Sequence, residues 1–399
     1  MNKQLGATLI VSGTCIGGGM IALPIVLAKL GLMWSLVFML GFWAVIFYTA
    51  LINLELNFQA KSGKTIGELA KMFAGVKASV IGVLSLNLLM FSLVAVYIYG
   101  IASLLLEILC VPQESFKNLV VVVSVVIMLI MLAPVKALDY INRTLFIIMV
   151  SVASLLMICL LFKIKFNNLP LYSNMQTEFS SWRIVTPVLF TSFGFQVIFH
   201  SLSNYCNMDK NLLKKVFLRG SLIPAIVYII WTFGVICAIY NSDIAFYEKM
   251  LDGGINVKDL VKKLCEISDA KFIQIIIWLI SMLAIITSVI GVGLGLCDSL
   301  KSYLSKIVSK EFNLKITSAS LAVFPPCIVA ILIPDAFISV LGFAGMILAV
   351  LAIILPTYIL LKCNFQRPYY QSTKNKILIS VSIVTALFII YCEIVNMIG

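Results

Sequence analysis

The feature that most constrains this chain is a series of long apolar runs repeated from one end to the other. Each run is about 20 residues long, as a membrane-spanning helix requires, whereas a membrane-spanning strand is about ten residues long with alternating polarity. Backbone polar groups in lipid must be paired within the protein, so only helices or a closed barrel cross a bilayer. The runs therefore predict an all-α, multi-pass membrane protein.

Composition agrees with a bilayer as the solvent. Hydrophobic residues make up 62% of the 399 positions and charged residues only 12%, against roughly 25% charged residues in soluble domains. The first apolar run, from Leu5 to Leu30, is too long for the core of a signal peptide, and no small-residue cleavage site follows it. We expect eleven transmembrane helices, at about 7–30, 33–57, 78–109, 119–138, 143–162, 185–203, 218–240, 273–297, 316–333, 336–361 and 376–398.

The positions of the basic residues set the predicted orientation. With the N-terminus inside, most lysines and arginines fall in short cytoplasmic loops, as the positive-inside rule requires. We therefore expect a bacterial inner-membrane protein with a cytoplasmic N-terminus and a periplasmic C-terminus. The net charge of +12 is then a topology signal and not a nucleic-acid site. The long outer loop at 241–272 has a period near 3.6 in places and predicts external helical segments.

The first and sixth spans are both interrupted near their centres. Gly17, Gly18 and Gly19 are consecutive in the first span, and each glycine weakens a helix by up to about 1 kcal/mol. The alternative is close helix packing through small residues, which a tight triple makes the weaker interpretation. The sixth span has the polar and aromatic sequence TSFGFQ at 191–196. Both spans are therefore predicted to be broken helices.

The two breaks occupy matching positions in two halves of the chain. We predict a first five-helix repeat at 1–162, an outer connection at 163–184, a second, inverted five-helix repeat at 185–361, and a linker with the eleventh helix at 362–399. An odd number of spans per half makes the two topologies opposite, which is the 5+5 inverted-repeat pattern of secondary transporters. Channels and membrane-embedded enzymes are less consistent with the sequence, because it lacks polar pore stripes and clustered ionisable residues within the spans.

Broken helices supply a particular chemistry. Free amides at one helix end hold a carboxylate, and free carbonyls at another hold an ammonium or a cation. An α-amino acid carries both groups, and such a site needs no charged side chain at mid-membrane, where one would be costly. The residues predicted to line the site are those around the two breaks: Thr14, Cys15, Ile16, Gly17, Gly18, Gly19, Phe193, Gly194, Phe195 and Gln196.

Several stretches together resemble a known family. They are SGTCIGGGMIALP at 12–24, FTSFGF at 190–195, WAVIFYTALINLE at 43–55, DYINRTLF at 139–146, TSVIGVGLGLCD at 287–298 and LAVFPP at 321–326. These resemble the hydroxy/aromatic amino acid permeases, and their tyrosine-specific members most closely. The resemblance covers nearly the whole chain and implies the broken-helix fold of the amino acid–polyamine–cation superfamily. It also implies import of an aromatic amino acid by proton symport, with tyrosine first and then tryptophan or phenylalanine.

The resemblance extends to individual residues and also shows one departure. Tyr97 falls where related permeases also carry tyrosine and is a candidate gate, or alternatively a hydrogen-bonding group between helices. The family commonly places a histidine directly after the FGF-like motif, where this chain has Gln196. The only histidine of the chain is His200, one helical turn later, so both side chains can face the same side.

The coupling ion has three candidate groups. His200 titrates near physiological pH and is a candidate proton relay. Thr287 and Ser288 correspond to a hydroxyl pair that helps bind sodium in some members of the superfamily, although membrane Ser and Thr often bond only to their own i−4 carbonyl. Sodium-coupled symport or exchange of another small neutral amino acid is therefore the alternative function. No P-loop, metal-ligand spacing or catalytic constellation is present, so no enzyme activity, metal or cofactor is expected. The sequence does not indicate an oligomeric state.

Overall fold

The computed structural model describes the chain apart from residues 1–2, 164–167, 175–177, 268–270, 306–307, 309, 334–335, 364, 366–367 and 399. The described residues form helices and loops, with no strand among them. The α-helices are α1 Lys3–Cys15, α2 Gly18–Leu27, α3 Gly31–Gln59, α4 Ile66–Ala74, α5 Val76–Ile108, α6 Phe116–Met131, α7 Val135–Lys163, α8 Phe179–Ser192, α9 Phe199–Tyr205, α10 Lys210–Ser242, α11 Ile244–Asp252, α12 Val257–Ile267, α13 Lys271–Leu304, α14 Glu311–Leu332, α15 Ala336–Ala349, α16 Leu355–Cys363 and α17 Lys376–Ile398.

The helices account for the eleven predicted spans. Within the described residues, nine stretches are long and apolar enough to cross a membrane, and the first of them, Gly18–Gln59, contains parts of two predicted spans. The chain turns between these two at Gly31, whose φ of +70° favours glycine. The fifth predicted span is represented by the shorter apolar helix Tyr140–Leu156. The prediction of an all-α protein with about eleven spans is confirmed.

Both predicted breaks are present. The first span consists of α1 and α2, which are separated at Ile16 and Gly17. The sixth span consists of α8 and α9, which are separated by an irregular segment and a single 3₁₀ turn at Gln196–Ile198. The tenth span contains a feature that was not predicted, a π-helical turn at Val350–Ile354 between α15 and α16. Turns of this kind are frequent at functional sites.

Small residues let the broken spans pack closely against their neighbours. A Cβ at Gly220 of α10 would lie 2.5 Å from Cβ of Val11 in α1, and the Ser12 hydroxyl donates to the Gly220 carbonyl at 3.0 Å. A Cβ at Gly345 of α15 would overlap the Pro187 carbonyl of α8. Close backbone approach and interhelical hydrogen bonds therefore hold α1 and α8 against α10 and α15.

The long loop after α10 contains the two predicted external helices, α11 and α12. Asp243 begins α11 by accepting a hydrogen bond from the Phe246 amide at 2.9 Å, and it pairs with Lys263 of α12 at 2.6 Å. The hydrogen bond from Lys263 holds the pKa of Asp243 below its ordinary value. Lys262 pairs with Glu107 at the end of α5 at 3.1 Å. Ion pairs thus tie both external helices to the outer ends of the spans.

The division into repeats at 1–162 and 185–361 stays a prediction. The predicted outer connection at 163–184 and the predicted linker at the start of 362–399 lie partly outside the described residues.

Candidate functional site

The breaks in the first and sixth spans meet in the interior of the protein. Helix α2 packs against α8, and α1 and α2 both pack against α10. The Cys15 thiol at the end of α1 donates to the Phe193 carbonyl at 3.6 Å, just beyond the end of α8. The two irregular segments therefore contact each other directly.

A side chain from a third helix joins the two breaks. The Tyr228 hydroxyl of α10 lies 2.6 Å from the Cys15 carbonyl oxygen and 3.1 Å from that of Ser192. One turn further along α10, the Trp231 indole N–H donates to the Met20 carbonyl at 2.6 Å. The Cys15 and Ser192 carbonyls lie at helix ends created by the breaks, whereas the Met20 carbonyl lacks an intrahelical partner because Pro24 has no N–H. Sequence reasoning missed both residues, although two amphipathic aromatics three positions apart in mid-span indicate polar partners within the membrane.

A narrow cavity lies beside the junction. Seven of the predicted site residues line it: Thr14, Cys15, Gly18, Gly19, Tyr97, Gly194 and Gln196. The remaining lining residues, which sequence reasoning missed, are Leu89, Leu93, Thr191, Ser192, Val197, Val292, Leu341 and Leu348. The cavity has a volume of about 30 Å³, an order of magnitude below the 300–1,000 Å³ typical of ligand pockets. Its walls are therefore nearly in contact in this conformation.

Two of the three consecutive glycines are needed for close approach. A Cβ at Gly17 would overlap the Ser288 hydroxyl of α13, and a Cβ at Gly19 would lie 2.6 Å from Cβ of Ser192. At Gly18 the nearest atom would be Phe337 Cζ at 3.2 Å, which is a milder contact. The glycine triple thus brings the backbone of the first break against both α13 and the sixth span.

The cavity exposes hydrogen-bond donors that the protein does not use. Helix α2 begins at Gly18, and the preceding Gly17 provides no side-chain cap for its first amides. Gln196 is 8% exposed; its Oε1 accepts from the Phe195 amide at 2.9 Å, while its Nε2 has no partner among the described residues. Uncapped amides and a helix N-terminus favour an anionic group, and the Gln196 amide can donate to a neutral oxygen.

Four predicted site residues do not line this cavity. Phe193 and Phe195 are fully buried: the first packs on Tyr228 at a ring distance of 5.5 Å, and the second on Phe199 and Phe217. They face neither the cavity nor lipid, because the irregular segment turns both rings toward α10.

The other two, Ile16 and Gly17, lie against Ser288 of α13. The Ile16 carbonyl oxygen is 3.3 Å from the Ser288 hydroxyl, and a Cβ at Gly17 would overlap the same side chain.

The predicted hydroxyl pair lines a second, larger cavity of about 560 Å³. Thr287 donates to Leu283 O at 2.8 Å and Ser288 to Ala284 O at 2.9 Å, both of them i−4 carbonyls. This cavity lies between α1, α7, the sixth span and α13, and it shares Thr14, Val197 and Val292 with the narrow one. The two cavities are therefore adjacent.

His200 lies apart from the narrow cavity. It lines a small space of about 10 Å³ together with Asn53, Thr65 and Gln196, which has room for about one water molecule. Its Nε2 is 3.1 Å from the Ser201 hydroxyl. Gln196 lines both this space and the narrow cavity, so His200 is separated from the site by one side chain. Within the part of the chain that the structure describes, no group of His, Cys, Asp or Glu could hold a metal ion.

Comparison with known structures supports the fold. A crystal structure of MhsT in complex with L-phenylalanine superposes with a TM-score of 0.62 at 14% identity and covers 98% of each chain. At this identity the likeness shows the fold alone, a helical membrane transporter fold.

Sequence comparison identifies the relatives. The tyrosine-specific transport system 1 of Haemophilus influenzae is 33% identical over 371 residues, which are 91% of this chain and 89% of the relative. The glutamine transporter 2 of Aliivibrio fischeri is 30% identical over 361 residues, 89% of this chain and 87% of the relative. These relatives are transporters, and the prediction of a transporter rather than an enzyme is confirmed. A family profile matches residues 1–398, and the chain belongs to the tryptophan/tyrosine permease family.

Proposed function

We propose that this protein imports aromatic amino acids, tyrosine first and then tryptophan or phenylalanine, by proton symport with alternating access across a bacterial inner membrane. The observation that carries the proposal is the junction of the two broken spans around a narrow cavity with unused donors. The name of the Haemophilus relative supports tyrosine as the first substrate to test.

The cavity suggests how an aromatic amino acid is held. The substrate carboxylate accepts from the uncapped amides at Gly18 and Gly19, which begin α2. Leucine and valine side chains on α5, α13 and α15 surround the apolar part of the cavity and take the substrate ring. The free Nε2 of Gln196 donates to the phenolic oxygen of tyrosine. No charged side chain is required.

The two adjacent cavities support alternating access. The narrow cavity is too small for an amino acid, whereas the adjoining cavity of about 560 Å³ is large enough and reaches Gly6 near the N-terminus. Three contacts lie on the α2 side of the break. Just after the break, the Trp231 indole donates to the Met20 carbonyl. At the end of the span, Tyr247 of α11 donates to the Ala28 carbonyl at 3.4 Å, and Lys29 donates to the Leu251 carbonyl. The structure thus resembles a state closed on the α11 side. With the N-terminus cytoplasmic, as the basic loops favour, the larger cavity is the route of release into the cell.

Proton coupling rests on the sequence resemblance to the hydroxy/aromatic amino acid permeases. A second candidate, sodium-coupled symport or exchange of another neutral amino acid, is supported by two observations. One relative is a glutamine transporter, and the Ser288 hydroxyl lies 3.3 Å from the carbonyl oxygen of Ile16 at the first break. A hydroxyl and a backbone carbonyl are oxygen ligands that a bare cation accepts.

Uptake into proteoliposomes tests the proposal. The purified protein is reconstituted, and labelled tyrosine uptake is measured under an imposed pH gradient, an imposed sodium gradient, both gradients or neither. Unlabelled tryptophan, phenylalanine, glutamine, serine and leucine are then added as competitors. We expect uptake driven by the pH gradient and competition by aromatic amino acids. Uptake driven only by sodium, or competition by glutamine but by no aromatic amino acid, supports the second candidate and rejects the first.

A further inference from the structure

A third cavity lies away from the broken spans, on the side of the bundle formed by α5, α8, α14, α15 and α17. Its volume is about 750 Å³, within the range of sites that bind small molecules. Most of its wall is apolar, but an arginine, Arg183, and a glutamate, Glu393, both face it. Ionisable side chains within a membrane protein are costly and mark functional sites.

Glu393 is enclosed although its side chain is ionisable. It is 4% exposed, and its carboxylate lies against the backbone of α15, where a Cβ at Gly342 would be 2.7 Å from Oε2. Among the described residues, its one hydrogen bond comes from the side-chain amide of Asn396, at 3.3 Å from Oε2. A buried carboxylate normally has several donors or a cation beside it. Glu393 therefore has capacity for a further cationic donor.

Arg183, on the same cavity, has an unused hydrogen-bond donor. Its Nε is buried and has no hydrogen-bond partner, and it forms no ion pair with Glu393 or another described residue. Asn396 connects the two regions, because its amide also donates to the Arg183 backbone carbonyl at 2.9 Å. One cavity thus contains a basic and an acidic side chain that do not pair with each other. A ligand that carries both charges would pair both groups.

The charged groups and the apolar wall lie at different depths. Arg183 is near the start of α8 and Glu393 near the end of α17, so both are at one end of the helix bundle. Phe91 and Ala95, by contrast, line the cavity from the middle of α5. The rim includes Leu88, which is 45% exposed near the middle of α5, and Met397, which is 63% exposed at the end of α17. The cavity therefore has a charged region at interface depth, an apolar region toward the membrane centre and an opening at the side.

We propose that this cavity binds an aminophospholipid, with the phosphate on Arg183, the ammonium on Glu393 and an acyl chain along Phe91 and Val329. Arginine is suited to phosphate through its several N–H donors, and a primary ammonium donates hydrogen bonds to a carboxylate. A lipid with an anionic headgroup leaves Glu393 without a cation, and a choline headgroup has no N–H to donate. A free amino acid is also a zwitterion, but the sideways opening and the deep apolar wall match a molecule that enters from the bilayer.

Native mass spectrometry of the full-length protein tests the proposal. The protein is purified in detergent and mixed with equal amounts of phosphatidylethanolamine, phosphatidylglycerol and phosphatidylcholine of matched acyl chains. We expect retention of phosphatidylethanolamine to exceed that of either other lipid by about tenfold, as paired charged hydrogen bonds allow. Equal retention of the three lipids by the wild-type protein overturns the proposal without any variant.

Variants and a competitor locate the site. Glu393→Gln should remove the preference, and Arg183→Gln should weaken retention of all three lipids, because all three carry a phosphate. Glu114→Gln and Lys271→Gln, two exposed changes at the same end of the bundle, should leave both retention and preference unchanged. Gly342→Ala, whose Cβ pushes against the carboxylate, should weaken retention and leave both charges in place. A preference that persists in Glu393→Gln, or undiminished retention in Arg183→Gln, places the lipid elsewhere. Displacement of the lipid by tyrosine in the wild type, lost in Glu393→Gln, would make the ligand an amino acid and overturn the lipid assignment.

Discussion

The Tyr228 hydroxyl lies 2.6 Å from the carbonyl oxygen of Cys15, the last residue of α1. The same hydroxyl is 3.1 Å from the carbonyl of Ser192, the last residue of α8. One buried side chain of α10 therefore contacts the ends of both half-helices. Any rearrangement that separates the two breaks must also change this contact.

Replacing Tyr228 with phenylalanine tests this relationship. The change keeps the ring that packs on Phe193 but removes the single O–H that lies within hydrogen-bond distance of two buried carbonyl oxygens. We expect the free energy of unfolding to fall by about 1–3 kcal/mol, the cost of an unsatisfied buried polar group. Tyrosine uptake should fall by about tenfold or more, because a loss of about 1.4 kcal/mol in substrate-binding free energy from a displaced site gives that factor. Thermal unfolding in detergent and uptake in proteoliposomes measure the two effects.

Tyr240→Phe provides the matched control for that change. Tyr240 is on the same helix, and its ring contacts the ring of Tyr247, which a phenylalanine retains. Wild-type uptake by Tyr228→Phe would show that the hydroxyl does not organise the site.

The three glycines of the first break should differ in their sensitivity to alanine. Gly17→Ala and Gly19→Ala place a methyl group against Ser288 and Ser192, whereas Gly18→Ala meets Phe337 at 3.2 Å. We therefore expect Gly17→Ala and Gly19→Ala to abolish uptake and Gly18→Ala to reduce it partially. Replacing Gly18 by a bulky residue should abolish uptake while the protein still inserts into the membrane, as measured by its yield in the membrane fraction.

Gly41→Ala is the control for the glycine series, since no atom lies within 4 Å of the added Cβ. Its uptake should match the wild type. Equal uptake by Gly17→Ala, Gly18→Ala and Gly41→Ala would contradict the close approach seen at the first break.

The breaks were predictable because their cause is local. Consecutive glycines and the TSFGFQ segment weaken a helix wherever it packs, and both spans are indeed interrupted there. Tyr228 was not predictable in the same way, because its role depends on α10 packing against two segments that are distant in sequence. The orientation of Phe193 and Phe195 also depends on the turn between α8 and α9, which places both rings in the core.

The charged lateral cavity was missed for a different reason. Glu393 is close to the end of the last apolar run, where an acidic residue is expected to reach water. Its burial depends on Gly342 of α15, which leaves space for the carboxylate. Neither the last apolar run nor the spacing of its residues shows that Gly342 packs against Glu393.

Replacing Gln196 with methionine tests the proposed contact with the phenolic oxygen. The change removes the free Nε2 donor and retains the side-chain length. We expect the ratio of tyrosine to phenylalanine uptake to fall by about tenfold, the factor given by one lost hydrogen bond of about 1.4 kcal/mol. Phenylalanine uptake by the same variant is the internal control, because the lost bond to the Phe195 amide affects both substrates. An unchanged ratio would exclude Gln196 as a contact of the substrate hydroxyl.

The outer helices should depend on the ionised form of Asp243. The hydrogen bond from Lys263 and that from the Phe246 amide lower its pKa from the ordinary value of 3.8. Because the pKa is lowered in the folded state, its stabilisation is fully present above 3.8 and is lost as the pH falls through the lower folded value. Hydrogen exchange of peptides from 244–267 should therefore be slow at neutral pH in the wild type and faster in Asp243→Asn. Glu248→Gln, an exposed change on α11, should leave exchange slow; slow exchange in Asp243→Asn would refute the role of the pair.

His200 provides a test of proton coupling that separates translocation from binding. Gln196 lies between the narrow cavity and the small space that contains His200, so a proton could pass from one to the other by a single intervening water. Histidine gains and loses a proton more readily near physiological pH than other side chains, so a relay through His200 would make uptake vary with pH.

His200→Gln should therefore flatten the pH dependence of uptake. It should also reduce uptake driven by a pH gradient by at least about tenfold, because a positioned proton-transfer group contributes that much or more. Exchange of internal for external tyrosine requires no net proton movement and should continue. Ser201→Ala is the control, because it removes the hydroxyl 3.1 Å from Nε2 and keeps the imidazole. If His200→Gln retains the wild-type pH profile, the proton follows another route; if exchange is lost together with driven uptake, the residue serves the structure of the site and not the transfer of the proton.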